Sequence, residues 1–105
     1  MKDIEPILID VKDYLNITWD DEKTDKNLIG IIKRGMVRLQ DIAGVPTLDF
    51  TEESQHRALL FDYCRYANSN ALEMFEKNFV GELLDLHLEH QAKKSKENEG
   101  VTIWK

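Results

Sequence analysis

Apolar residues between Leu28 and Ala43 recur every three or four positions, which predicts an amphipathic helix. At the helical period they share one arc of about 160°. They are Leu28, Ile29, Ile31, Ile32, Met36, Leu39, Ile42 and Ala43. Thr24 is the expected N-cap of this second helix and Gly44 its expected C-cap. Gly35 falls inside the arc, so we expect another helix to approach closely there.

A third helix is expected from Glu52 to about Glu76, with Thr51 as its N-cap. Its apolar residues cover an arc of about 220°, wider than a helix that buries only one side requires. They are Leu59, Leu60, Phe61, Tyr63, Cys64, Ala67, Ala71, Leu72, Met74 and Phe75. Because so short a chain has little with which to cover that arc, a neighbouring subunit is expected to cover the rest.

Two further helices flank this pair. The first is expected from Pro6 or Leu8 to Asn16, and the fourth from its cap at Asn78 to about Gln91. The apolar stripe of the fourth helix is predicted to contain Val80, Leu83, Leu84, His87 and Leu88, with Phe79 and Leu86 at its margin. The pattern predicts an all-α fold, a single small domain of about four helices in residues 1–91.

Residues 92–105 differ from the rest of the chain. The run AKKSKENEG is too polar to stay folded alone, which predicts a flexible tail. That tail ends in the apolar residues Val101, Ile103 and Trp104, which have no core of their own to enter. We expect them to bind a partner.

Composition narrows the class of protein. The 105 residues suffice for one small domain, and 20 acidic against 14 basic side chains give a net charge of -6. An acidic protein lacks the cationic surface that grips nucleic acid without regard to sequence. Cys64 is the single cysteine, expected to be a small buried hydrophobe. Without a signal peptide or a stretch of ~20 apolar residues, the protein is expected in the cytosol during assembly.

Candidate chemistry is sparse. The acidic turn before the second helix contains Asp20, Asp21, Glu22 and Asp25. It lacks the glycine and the alternating ligands of a calcium loop. The favoured role of these carboxylates is therefore to stabilise the positive N-terminal end of the second helix. A cation site and a salt contact to another chain are the alternatives. His87 and His90 are only two potential metal ligands. Phosphate-binding glycine loops, GxSxG and HExxH are absent. We therefore expect no catalytic residues, no metal, no cofactor and no enzymatic activity.

Aromatic side chains at the border of the polar surface are the best candidates for contacts with other chains. Tyr66 borders the polar stripe of the third helix, whereas Tyr63 is either a core-edge residue or part of the same contact. The predicted interface set for a contact with another subunit or a partner protein is Trp19, Tyr63, Arg65, Tyr66, Val101, Ile103 and Trp104.

Two stretches occur in a characteristic order of helices: ITWDDEKTD at residues 17–25 and FDYCRYANSNALEMF at residues 61–75. A short helix with the triplet DYL precedes the first stretch, and a long amphipathic helix separates the two. This arrangement resembles the small helical head-tail connector proteins of long-tailed bacteriophages, also called head completion or adaptor proteins. The resemblance covers about residues 7–90 and contains no catalytic signature.

That resemblance implies a structural phage or prophage protein rather than an enzyme. Copies would form a ring, expected to be dodecameric, beneath the portal protein of the packaged head. The ring would extend the DNA channel, let DNA pass without specific binding, and present a platform to the next head-completion or tail protein, with no membrane involved. The expected location is the head-tail junction of the virion. The alternative is a small bacterial adaptor or regulatory module that binds one protein partner; a helical enzyme subunit or metal protein comes third.

Overall fold

The computed structural model describes residues 4–101, with the side chains of residues 4–93. Over that range the chain is all-α, as predicted, with five helices instead of four. They are α1 (Ile4–Tyr14), α2 (Glu22–Ala43), α3 (Gln55–Asn68), α4 (Phe75–Asn78) and α5 (Val80–Val101). A 3-10 turn at Leu72–Met74 precedes the short α4. This turn and α4 replace the last part of the predicted third helix.

The contact between α2 and α3 forms the centre of the fold. Ile32 and Leu39 of α2 are fully buried there, as is Leu60 of α3. A Cβ atom on Gly35 would come within 2.7 Å of Tyr63 Cδ1 and 2.8 Å of Leu60 Cδ1. The close approach predicted at Gly35 is confirmed, and a side chain there would force the buried side chains of Tyr63 and Leu60 to shift.

The caps of α2 and α3 are residues of the expected types, but not always at the predicted positions. Gly44 ends α2 in the left-handed conformation, with φ 75°, as expected. Asp21 rather than Thr24 is the N-cap, because α2 begins at Glu22 and places the Thr24 N–H 3.0 Å from Asp21 Oδ2. Ser54 rather than Thr51 caps α3.

The third helix ends at Asn68, well short of the predicted Glu76. Asn70 then adopts a left-handed φ of 57°, which asparagine tolerates better than most residues, and the chain turns. Phe75 is thereby fully buried, with its ring centroid 5.4 Å from that of Tyr63. The prediction of one continuous helix with a 220° apolar arc is wrong. The chain itself provides much of the cover that was assigned to a neighbouring subunit.

Apolar and ionic contacts hold α1 in place. Ile7 and Val11 enter the core, while Lys12 Nζ lies 2.9 Å from Asp25 Oδ1 and 3.1 Å from Asp20 Oδ1. Hydrogen bonds to Asp25 and then Asp20 raise the pKa of Lys12 above its ordinary value. The acidic turn therefore attaches α1 to the first turn of α2.

The face with which α5 contacts the rest of the domain overlaps only in part with the predicted stripe: Leu83 and His87 belong to both, whereas Val80, Leu84 and Leu88 are exposed. Leu83 and Leu86 are buried, and His87 Nδ1 lies 2.8 Å from the carbonyl oxygen of Ile42. Asn78 is not the N-cap of α5, because it is the last residue of α4 and α5 begins two residues later at Val80. Its side-chain amide donates instead to the Tyr66 hydroxyl at 3.0 Å.

The outer ends of α1 and α5 also differ from prediction. α1 begins at Ile4 and ends at Tyr14, because Asn16 takes a left-handed φ of 61°. α5 continues past the predicted end at Gln91 to Val101, through residues that were assigned to a flexible tail. The alanine, lysines and glutamates of that segment favour helix, and one turn of helix extends another at little cost.

Candidate interaction surfaces

The outward face of α5 carries an apolar stripe. Val80, Leu84 and Leu88 follow one another at a four-residue spacing and are 66%, 54% and 55% exposed. Side chains at this spacing lie on one face of a helix. We call these three residues the α5 stripe. Val80 and Leu84 border a shallow depression of about 280 Å³ that reaches Ile42 on α2.

A second apolar surface is a groove of about 450 Å³ between α2 and the segment that follows α3. Its apolar and aromatic lining consists of Val37, Tyr63, Leu72 and Phe75. Its charged lining consists of Lys33, Arg34, Arg38, Asp41 and Glu76. We call this surface the α2 groove. Val37, on the outer side of α2, is 59% exposed although it is aliphatic.

An ion pair separates the α2 groove from the depression beside α5. Arg38 Nε lies 2.6 Å from Glu76 Oε2 and Arg38 Nη2 lies 2.8 Å from Glu76 Oε1, a bidentate geometry. The guanidinium lowers the pKa of Glu76 by hydrogen bonding. Lys33 and Arg34 form no ion pair within the described residues. The edge of the groove therefore keeps two uncompensated positive charges, with Asp41 at its other end.

A third surface lies at the junction of α1 and α2. Trp19 is 55% exposed, and no aromatic ring of the described residues stacks on it. It belongs to residues 18–22, which we call the Trp19 turn, where Asp20 projects fully into solvent. Beside this turn, Ile9 and Asp13 of α1 border a small depression. The surface combines an exposed indole with acidic side chains.

The structure places Tyr63 and Tyr66 differently from each other. Tyr63 is 6% exposed and belongs to the core of this chain, besides lining the α2 groove. Tyr66 is half-buried, accepts a hydrogen bond from Asn78, and makes an edge contact with Phe75. Arg65 is exposed and its guanidinium lies 4.9 Å from the centre of the Tyr66 ring.

The predicted interface set is therefore not one patch. Trp19 lies between α1 and α2, whereas both tyrosines belong to α3, and no ring contact joins Trp19 to them among the described residues. Val101 is the last residue of α5, but its side chain, together with Ile103 and Trp104, lies outside the described residues. Within the described chain, Trp19 is the member of the set that has a large exposed apolar surface.

Cys64 and the histidines are the side chains of the described residues to consider for thiol reactivity and metal binding. Burial raises the pKa of the Cys64 thiol to about 12, so the reactive thiolate is scarce at neutral pH. Over the described residues, no three His, Cys, Asp or Glu side chains come together as a metal site. His56 and His90 approach to 6.2 Å between ring centroids, but each also contacts a backbone carbonyl. No helix in the described range is long and apolar enough to span a membrane.

Sequence reasoning missed most of these surfaces. Val37 lies outside the predicted apolar arc of α2, and an aliphatic residue on a polar helix face is the signal that was available for it. Leu84 was assigned to the buried stripe of its helix, together with Leu83. Both sets of leucines have helical spacing, so periodicity does not distinguish the buried face from the exposed one.

Comparisons with protein-family models, with curated proteins and with solved structures found no match to this chain. The resemblance to head-tail connectors therefore stays a prediction from the residue pattern. Any assignment of function depends on that pattern and on the surfaces described above.

Proposed function

We propose that the protein is a non-catalytic assembly subunit, specifically a phage or prophage head-tail connector. In this role, copies form a ring beneath the portal, extend the DNA channel and join the head to the tail. The α5 stripe is the observation that carries the proposal. Three large aliphatic residues in a row on the outside of a helix are unusual for a protein that works alone, and such patches mark interaction sites.

The stripe has the geometry of a helix that docks on a partner. Val80, Leu84 and Leu88 present one continuous face, as do helices that lie in apolar grooves of other proteins. On one side of the stripe, Asp85, Glu89 and Glu82 are exposed, and such polar side chains form the rim of many interfaces. We assign this face to the portal or to the next head-completion protein.

Net charge supports a channel through which DNA moves freely. A ring of subunits with a charge of -6 each repels the duplex instead of retaining it. At physiological salt we expect no measurable affinity for duplex DNA in a fluorescence anisotropy titration. Micromolar affinity with a steep salt dependence would contradict this part of the proposal and favour a nucleic-acid-binding protein.

A one-partner adaptor module is the second candidate, because the α5 stripe would serve that role equally well. The two candidates differ in self-association. An adaptor binds its partner as a monomer or dimer, whereas a connector forms a closed ring with copies of itself. The native mass of the chain bound to its partner distinguishes them.

The α5 stripe is tested by Leu84→Glu, with Asp85→Ala on the next residue as the matched control. Because Leu84 is exposed, Leu84→Glu should keep the helix content and melting temperature of the wild type. Its binding to portal rings from the same phage or prophage should weaken at least ~10-fold, the loss typical of a central interface residue. Equal binding by the two variants in co-sedimentation would contradict the role of the stripe.

A further inference from the structure

Two surfaces of the molecule match each other in shape and charge. The Trp19 turn carries an indole that is 55% exposed, and the exposed Asp20 and Glu22 are its neighbours in the sequence. The α2 groove is a concavity with an apolar lining, beside the cations Lys33 and Arg34, which form no ion pair among the described residues. Its volume of about 450 Å³ is ample for one indole ring.

We propose that the Trp19 turn of one copy docks in the α2 groove of the next copy. This inference specifies the subunit contact of the ring and rests on the proposed function. The indole of Trp19 would cover Val37 and Leu72, the two aliphatic side chains that the groove leaves in water. Trp is among the residues that contribute most to interfaces when they fill a pocket.

The charges of the two surfaces favour a second copy of this chain as the partner that binds in the α2 groove. Lys33 and Arg34 lie along the groove without a carboxylate partner in the described chain, whereas Asp20 and Glu22 are exposed beside Trp19. Opposite charges that meet at an interface fix its orientation and speed association. Arg38 is already neutralised by Glu76, and Asp41 lies at the groove as well, which favours docking at the Lys33–Arg34 end.

The geometry also determines the type of assembly. A contact between two different surfaces is heterologous, so each copy keeps one free Trp19 turn and one free groove. Such contacts continue from copy to copy and form a ring where the rotation between copies closes, which is the outcome that the proposed function requires. The Arg38–Glu76 ion pair lies between the α2 groove and the α5 stripe, and α1 does not contact α5 in the described chain. The α5 stripe therefore stays available for the portal or tail-side partner.

Two variants of the full-length chain test this contact. Trp19→Ser removes the projecting side chain, and Val37→Glu places a negative charge in the groove; both positions are more than half exposed, so folding should be unaffected. Each variant alone should lose assembly beyond the monomer in native mass spectrometry. An equimolar mixture should form heterodimers, in which the intact Trp19 turn of Val37→Glu occupies the intact groove of Trp19→Ser. Assembly should stop there, because the other turn and the other groove are disrupted. Trp19→Phe, which keeps an aromatic ring, should retain assembly at a loss of less than ~10-fold.

Several outcomes would overturn the contact. Rings formed by Trp19→Ser or Val37→Glu at wild-type concentrations would show that other surfaces join the copies. Homodimers of Val37→Glu would indicate an isologous contact through the turn. Portal binding by either variant at wild-type affinity, without ring formation, supports the contact and leaves the proposed function intact. A wild-type chain that neither associates with itself nor binds the portal contradicts both proposals.

Discussion

The α2–α3 contact and the outward face of α5 contain similar aliphatic residues and treat them in opposite ways. At the first, Ile32, Leu39 and Leu60 are fully buried around Gly35. At the second, Val80, Leu84 and Leu88 are more than half exposed. Burying a valine or leucine side chain stabilises the folded state by about 1.5–3 kcal/mol. The three exposed residues of α5 contribute much less than this to the stability of the isolated domain. The difference separates residues that stabilise the fold from residues available to a partner.

The largest expected effect concerns the residue that returns the chain to the core after α3. Phe75 is fully buried and packs edge-on against Tyr63. Phe75→Ala should lower the free energy of unfolding by about 3–5 kcal/mol, since it leaves a cavity between α3 and α4. Urea denaturation followed by circular dichroism measures this. A loss below about 1 kcal/mol would mean that this segment is not anchored by Phe75.

Adjacent leucines on α5 offer a direct comparison of its two faces. Leu83→Ala should destabilise the domain by about 2–5 kcal/mol because Leu83 is buried. Leu84→Ala should change the unfolding free energy by less than about 0.5 kcal/mol, since Leu84 already contacts water. Similar losses from the two variants, measured by the same denaturation, would contradict the assignment of α5's faces.

Two glycines of α2 sharpen the description of the core. Gly35→Ala gains helix propensity, but its Cβ would lie 2.7 Å from the buried Tyr63 ring, so a net loss of about 1–2 kcal/mol is expected. At Gly30 the nearest atom is the flexible Arg34 Nη1 at 3.4 Å. Gly30→Ala should stabilise by about 0.5–1 kcal/mol. Gly35→Ala should therefore lower the melting temperature and Gly30→Ala should raise it. Shifts of both variants in the same direction would contradict the packing around Gly35.

The smallest effect concerns the ion pair at the edge of the α2 groove. Hydrogen bonding to Arg38 lowers the pKa of Glu76 below its ordinary value of 4.5. A carboxyl with a depressed folded-state pKa stabilises the fold above its unfolded pKa, and that contribution is lost as pH falls through the folded value. Both side chains are nearly half exposed, so Glu76→Gln should cost less than about 1 kcal/mol at pH 7. The difference from wild type should disappear under acidic conditions well below pH 4.5; a difference that persists there would have another origin.

Local signals in the sequence predict α2 well. Its apolar arc, its Gly44 cap and the close approach at Gly35 are all found in the structure. The end of α3 escaped prediction because Ser69 and Asn70 are permitted within a helix, and only burial of Phe75 favours the turn. Tertiary packing, which periodicity does not encode, also determined which leucines of α5 are buried. The α2 groove escaped prediction for the same reason, since it forms only when the chain turns after α3.

The measurement that tests the connector proposal most directly is the native mass of the full-length wild-type chain, alone and with portal rings. The account predicts a discrete ring, expected to be dodecameric on the portal, which appears by electron microscopy as a closed annulus with a central channel. A chain that stays monomeric or dimeric over all accessible concentrations, and binds the portal as single copies or not at all, would contradict it. That result would favour the one-partner adaptor.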